Sequence, residues 1–332
     1  MFAKNSDRPP DEQQRIEWHP ARNDCGNEMR VTHISIEGSE RDTIGVVGSR
    51  PAWMWGFEHG VNEAGVAAGN ETIYTTLDPR TAPPALTGMD LVRLALERAA
   101  TAEDAVGVIT ALLERYGQGG TGHEGKDKPY WSSFLVADRR DAWVVETSGR
   151  AWACEQVDAT RAVSNRTTIP SFDAEHRHPR QPVETLVDPR LHASINVLAR
   201  RPDVDGLATH LRSHVGADDG WTVCMHVDGV EATTAAVIAS LPSDEASRPV
   251  ARLLLGSPCT SVFVPLVVGR SIGEPIDAGR FLALRTRTGA NPDVRPQLDE
   301  LERSLALDVT DDDEWADEAW RRVDDALRAL GV

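Results

Sequence analysis

Met1-Phe-Ala-Lys-Asn-Ser-Asp-Arg-Pro-Pro10 opens the chain, and the reading of this stretch decides the fold. Chain ends ordinarily carry polar residues that fray. Here an apolar stub, Phe2-Ala3, runs directly into the dense polar cluster Lys4, Asn5, Ser6, Asp7 and Arg8, and a Pro-Pro stop follows. That is the pattern of the second half of a β-hairpin whose first strand is missing. On residue types alone the cluster reads as a hydrogen-bonded turn in which Asp7 caps local N–H groups.

Working outward, Val31–Ile36 and Thr43–Val47 read as strands joined by a polar turn, Gly38-Ser-Glu-Arg-Asp42. Glycines at 60, 65 and 69 bracket a short apolar strand, Val66–Ala68, that ends on Asn70. Leu91, Leu94, Ala95 and Arg98 continue a helical period begun after Gly88. A second helix follows Thr101, which forms a capping-box pattern with Asp104. Residues 132–165 read as an antiparallel meander. The Pro-, His- and Arg-rich stretch 170–220 reads as an excursion over a sheet edge, and 117–128 as a loop. Strands return at Thr222–Val227, Thr234–Ile238 and Cys259–Val268. The tail from Asp311 to Leu330 is an amphipathic helix with an acidic first turn, which suits the helix dipole. Strands, then two helices, then more strands imply α+β layering rather than alternating βαβ units, in one domain over 1–332.

At 332 residues, 40% hydrophobic and 26% charged, the chain has the composition of an ordinary folded protein with a sizeable core. A net charge of -17 argues against nucleic acid and anionic membrane surfaces as partners, since both demand basic patches. No run of residues has the length of a membrane span or the form of a signal peptide, so the expected compartment is the cytoplasm. Cys25, Cys154, Cys224 and Cys259 contain no C-x-x-C pair, and the ten histidines show no zinc-binding spacing. No metal and no cofactor are therefore expected. Nucleotide-binding glycine fingerprints and a serine nucleophile elbow are also missing.

The opening cluster resembles the F-A-K-N-S-D-R-P segment of the secernin-like peptidases, peptidase family C69. Further motifs resemble that family in order along the chain. They are Trp53-Met-Trp-Gly56, Asn62-Glu-Ala-Gly-Val66, Gly69-Asn-Glu71, Gly88-Met-Asp-Leu91, Glu114-Arg-Tyr-Gly-Gln-Gly-Gly120 and Ser133-Phe-Leu-Val-Ala-Asp138. After them come Glu146-Thr-Ser-Gly-Arg150, Ala162-Val-Ser-Asn165, Trp221-Thr-Val-Cys-Met-His226 and Ser257-Pro-Cys-Thr-Ser-Val-Phe263. The resemblance implies a four-layer αββα sandwich of the N-terminal nucleophile hydrolase type. It also implies a dipeptidase-like activity on small peptides or other linear amides, in which an N-terminal cysteine attacks the carbonyl and its α-amine serves as base.

By the same resemblance Asp7 orients the amine or thiol, Lys4 lowers the thiol pKa or grips substrate, and Arg8 binds a substrate carboxylate with Asn5 beside it. Asn70 is the candidate oxyanion donor. Asn165 binds the substrate carbonyl or the terminal amine, and Trp53 and Trp55 wall the site; the alternatives are ordinary turn asparagines and buried aromatics. The family's Cys-Asp segment precedes F-A-K-N-S-D, whereas this sequence has only Met1 there. The chain as written is therefore expected to be N-terminally incomplete and inactive, with a gene start called at an internal Met, a pseudoenzyme, or exposure of Ser6 by processing as explanations. The missing strand should leave one sheet edge unpaired. Cys259 and Cys224 are fallback nucleophiles, with His226 on the face of Cys224. A non-catalytic scaffold and an acyltransferase of the same fold are the rival functions, and a homo-oligomer is compatible with either.

Overall fold

Alternation along the strands sets the layering. The computed structural model describes residues 1–23, 27–290 and 294–332. Seven antiparallel strands form one sheet: β2 (Gln14–His19), β5 (Val46–Pro51), β6 (His59–Asn62), β7 (Ala67–Ile73), β8 (Trp131–Ala137), β9 (Ala142–Ser148) and β10 (Ala151–Gln156). Their order is β10-β9-β8-β7-β6-β5-β2. A second antiparallel sheet runs β1-β12-β13-β14, with β11 also on β12; its strands are β1 (Phe2–Arg8), β11 (His226–Val227), β12 (Glu231–Ser240), β13 (Val250–Leu255) and β14 (Val264–Val267). A short hairpin, β3 (Glu28–Arg30) with β4 (Ser35–Glu37), stands apart.

One face of each sheet meets the other sheet. Val47, Val61 and Ala67 of the first pack with Val237, Ala239, Leu253 and Leu255 of the second. The opposite face of the first sheet, with Val46, Ala68, Phe134 and Val136, is covered by α1 (Gly88–Arg98) and α2 (Ala102–Tyr116) through Leu91, Leu94, Ala95, Ile109 and Leu112. These two periods, 2 in the strands and 3.6 in the helices, place apolar residues on the facing surfaces. On the outer face of the second sheet, Ala236, Ile238 and Leu254 lie under α5 (Val204–Leu211). The result is helix, sheet, sheet, helix: the αββα layering of the N-terminal nucleophile hydrolase type.

The remaining helices are α3 (Pro170–His176), α4 (Asp188–Leu198), α6 (Ala278–Ala290), α7 (Val294–Asp308) and α8 (Trp315–Ala329). α8 buries Trp315, Ala319, Val323 and Leu327, and its indoles donate to carbonyls in and after β14: Trp315 to Pro265 at 2.7 Å and Trp320 to Ile272 at 2.9 Å. Among the described residues no helix is long and apolar enough to cross a membrane.

Several local expectations change. Val31–Ile36 is not one strand; the chain bends between β3 and β4, where the Thr32 hydroxyl donates to Asp90 at 2.6 Å. Thr43 is drawn off the ladder by its backbone bond to the Arg22 carbonyl, and β5 begins at Val46. The stretch 170–220 is less an excursion than a structural layer, because α5 buries Leu207, Ala208 and Leu211. Pro258 starts a 3-10 turn, Pro258–Thr260, that delays β14 to Val264. The full capping box belongs to Thr87 and Asp90, whereas Thr101 accepts from the Asp104 amide without the return bond. Strand β13 and helices α6 and α7 carried no clear sequence signal. Cys25 lies outside the described residues.

Candidate active site

β1 is the element that gathers the polar cluster. It pairs with β12 from Phe2↔Ala239 to Arg8↔Ala232, with a bulge between Ser6 and Asp7. The extra residue is Thr234 on β12, which brings Thr233 opposite Asp7, while β1 keeps its alternation and turns Asp7 to the face opposite Lys4, Ser6 and Arg8. The Asp7 carboxylate accepts from the Thr233 hydroxyl at 2.7 Å and lies 3.5 Å from the Arg190 guanidinium. Arg190 reaches over from α4, with its other terminal nitrogen on the Asn165 carboxamide oxygen at 2.9 Å. Asn165 is held in turn by its Nδ2 on the Thr72 carbonyl and by Gln181, which donates to its backbone carbonyl. Asp7, Arg190, Asn165 and Thr233 thus form one connected group at the end of β1, and the outer edge of β1 has no strand partner among the described residues.

Burial pushes the Asp7 carboxyl above the usual carboxylate range, against the pull of Arg190, the Thr233 hydrogen bond and Lys4. A carboxyl so poised, beside a guanidinium and a carboxamide, can orient an amine or thiol and hold a proton during acyl transfer.

Lys4 is directed between the sheets. Its ammonium sits 3.2 Å from Glu71 and 4.0 Å from Glu58, and it donates to the Ser6 hydroxyl at 3.2 Å. Burial raises the Glu71 carboxyl, and Lys4 opposes that rise. Ser6 is fully buried in the β1–β12 ladder, 3.1 Å from His59 Nδ1. Burial, then the Lys4 charge, pulls the His59 imidazole well below its usual pKa, so it is neutral. Arg8 is closed into a buried set with Glu12, Glu58 and the Gly122 carbonyl. Asn5 donates to the Leu211 and Val223 carbonyls and so ties β1 to the outer layer. In this arrangement Arg8 and Asn5 are committed to the protein's own groups.

Asn70 stands on β7 facing α1, with Nδ2 3.5 Å from Met89 Sδ. The Tyr130 hydroxyl donates to the same sulfur at 2.9 Å. The Asn70 carboxamide is buried there, under α1. Trp53 donates to Glu12 at 2.5 Å. Trp55 stacks under the Arg93 guanidinium at 4.0 Å and lines a cleft of about 430 Å³ with His19, Arg22 and Met29, away from Asp7.

The two fallback cysteines lie close to this group. Cys224 Sγ is 3.4 Å from His226 Nε2, and the same nitrogen is 3.2 Å from Cys259 Sγ, with His214 stacked edge-on against His226. The Cys224 thiol, then His226 and His214, hold the Cys259 thiol below its usual range.

Residues 46–191 match peptidase family C69. The matched segment carries Asn165 and Arg190, to which β1 brings Asp7 from outside it, and also Asn70, which faces α1 instead. In architecture the chain is similar to penicillin V acylase from Agrobacterium tumefaciens, at 14% identity over 81% of this chain and 82% of that one, with a TM-score of 0.52. At that identity the likeness bears on the fold alone. Weaker likenesses are a mutant of conjugated bile acid hydrolase from Clostridium perfringens (11% identity, 80% and 92% covered, TM-score 0.44) and an N-acylethanolamine-hydrolyzing acid amidase ortholog from Caenorhabditis elegans (12%, 74% and 89%, TM-score 0.41).

Sequence reading missed Arg190, a lone arginine on a weakly patterned helix with no motif to flag it. It also missed the meeting of His214 with Cys224, His226 and Cys259, whose only signal is the C-x-H at 224–226.

Proposed function

We propose that this protein is a hydrolase of linear amides, small peptides first among them, of the N-terminal nucleophile type. Its nucleophile is a cysteine on a strand that pairs along the outer edge of β1. One observation carries this reading. The Asp7–Arg190–Asn165 group stands at that edge, joined to a segment that matches a peptidase family.

In this reading the thiolate attacks the scissile carbonyl, and the α-amine takes the thiol proton and passes it to the leaving amine. Water then hydrolyses the thioester. Asp7 holds the α-ammonium. Arg190 keeps Asp7 and Asn165 in register, and Asn165 donates to the substrate carbonyl or receives the terminal amine. Lys4 acts at a distance, as the counter-charge to Glu71 and Glu58. The cytoplasm is the expected compartment.

The test is a paired assay on a dipeptide panel, using this chain and a form carrying the in-frame upstream codons, with mass spectrometry of the mature N-terminus. Activity in the extended form alone, lost when its terminal cysteine becomes alanine, is the expected result. Equal activity in both forms would overturn the mechanism. Inactivity in both would favour a binding protein of the same fold.

A further inference from the structure

We infer that His214, Cys224, His226 and Cys259 form a structural zinc site. One ligand atom from each of the four lies within 4.8 Å of every other. A Zn²⁺ ion with Zn–N of about 2.0–2.1 Å and Zn–S of about 2.3 Å has tetrahedral edges of roughly 3.3–3.8 Å. The Cys224–His226 and His226–Cys259 pairs, at 3.4 and 3.2 Å, are close to such edges, and with all four atoms within 4.8 Å of one another small rotamer shifts complete the set. Two thiols and two imidazoles are a common structural zinc set. On binding, the two thiols release their protons to solvent, and the resulting thiolates cancel the charge of the ion.

The backbone around the site is already fixed. The Cys224 amide donates to the Ser213 carbonyl at 2.9 Å and the Val223 amide to Val215 at 3.0 Å, which puts His214 opposite Cys224 across a narrow loop. Cys259 comes from the 3-10 turn after β13, whose Ser257 hydroxyl donates to the Thr233 carbonyl at 2.8 Å. The ion would therefore clip the 213–226 loop to the end of the second sheet. A Cys–His dyad leaves the second imidazole and second thiol without a purpose, and a disulfide leaves both imidazoles so.

The site has a mechanical consequence for Asp7. Between the ligands Cys224 and His226, the Met225 amide donates to the Thr233 hydroxyl at 2.9 Å, and that hydroxyl donates to Asp7. The zinc assignment itself does not depend on the hydrolase reading.

The test uses the purified full chain, reduced, stripped with a chelator and titrated with Co²⁺ alone. One equivalent should bind, with the intense visible bands and thiolate charge-transfer absorption of tetrahedral sulfur coordination, and one equivalent of Zn²⁺ should bleach them. His214→Ala changes an exposed ligand and spares the core. It should weaken Co²⁺ binding by more than the roughly 10–100-fold that loss of an outer-shell partner costs. Cys259→Ser should remove most of the charge-transfer band. The assignment is overturned by failure to take up Co²⁺, by the weak spectrum of octahedral coordination, by unchanged affinity in His214→Ala, or by recovery of Cys224 and Cys259 as a disulfide from untreated protein.

Discussion

Asp7 owes its place to one extra residue in a ladder. Thr234, the extra residue of β12, sets Thr233 opposite Asp7, and alternation along β1 turns Asp7 to Thr233 and Arg190 while Lys4 turns to Glu71 between the sheets. In the extended form proposed above, Asp7→Asn should lower kcat/KM by about 10²–10⁴, because the proposed acid–base group, the α-amine, loses the carboxylate that orients it. The unfolding midpoint in urea should move little, because the amide is nearly isosteric. The pH profile carries a second signature. Burial raises the Asp7 pKa, so the acidic limb of kcat/KM should lie above the usual carboxylate range and disappear in Asp7→Asn. Gly88 offers a steric counterpart: a Cβ there would collide with Ser132 Oγ and come within 2.7 Å of Asn70 Nδ2. Gly88→Ala should therefore destabilise the protein by about 1–3 kcal/mol, as overpacking does, measured by urea unfolding.

The elements owe their ends to short-range chemistry. Thr87 and Asp90 close a reciprocal capping box on α1, while Thr101 caps α2 by a single bond. Thr87→Ala should cost about 1–2 kcal/mol in chemical denaturation, and Thr101→Ala, in its exposed setting, about 0.5–1 kcal/mol. β2 is pinned to β5 by Glu17, which meets Arg50 at 2.5 Å and His19 at 3.1 Å. Burial would raise the Glu17 carboxyl, but the His19 and Arg50 hydrogen bonds override it and bring it down to about 2. A carboxylate held below its ordinary pKa of 4.5 contributes stability at higher pH and loses it as pH falls toward 2. Glu17→Gln should flatten that part of the stability-versus-pH curve, a loss of about 1 kcal/mol near neutrality once solvent screening of this half-exposed pair is counted. An unchanged slope between pH 4.5 and 2 would show that the link does not matter to stability.

The whole molecule is two sheets face to face, each capped by helices, with β1 at one margin. Its outer backbone edge makes no ladder to any described strand, and an open edge of this length is a template for pairing. Light scattering on the chain as given should show mass rising with concentration. An added strand covering that edge should suppress the rise.

The sequence by itself determined the strand and helix periods of the central chain, the amphipathic tail α8 and the polar density of β1, because these are local and repeat along the chain. It also carried the family resemblance, in short motifs read one at a time. Only the tertiary structure decided that Arg190 meets Asp7 across 183 residues, that α5 is a layer rather than an excursion, and that Asn70 faces α1 while Asn165 joins the Asp7 group. It alone brought His214 to Cys259. Those outcomes depend on sheet register, on a bulge and on which face of a layer is buried, and such long-range relations leave no period in the sequence.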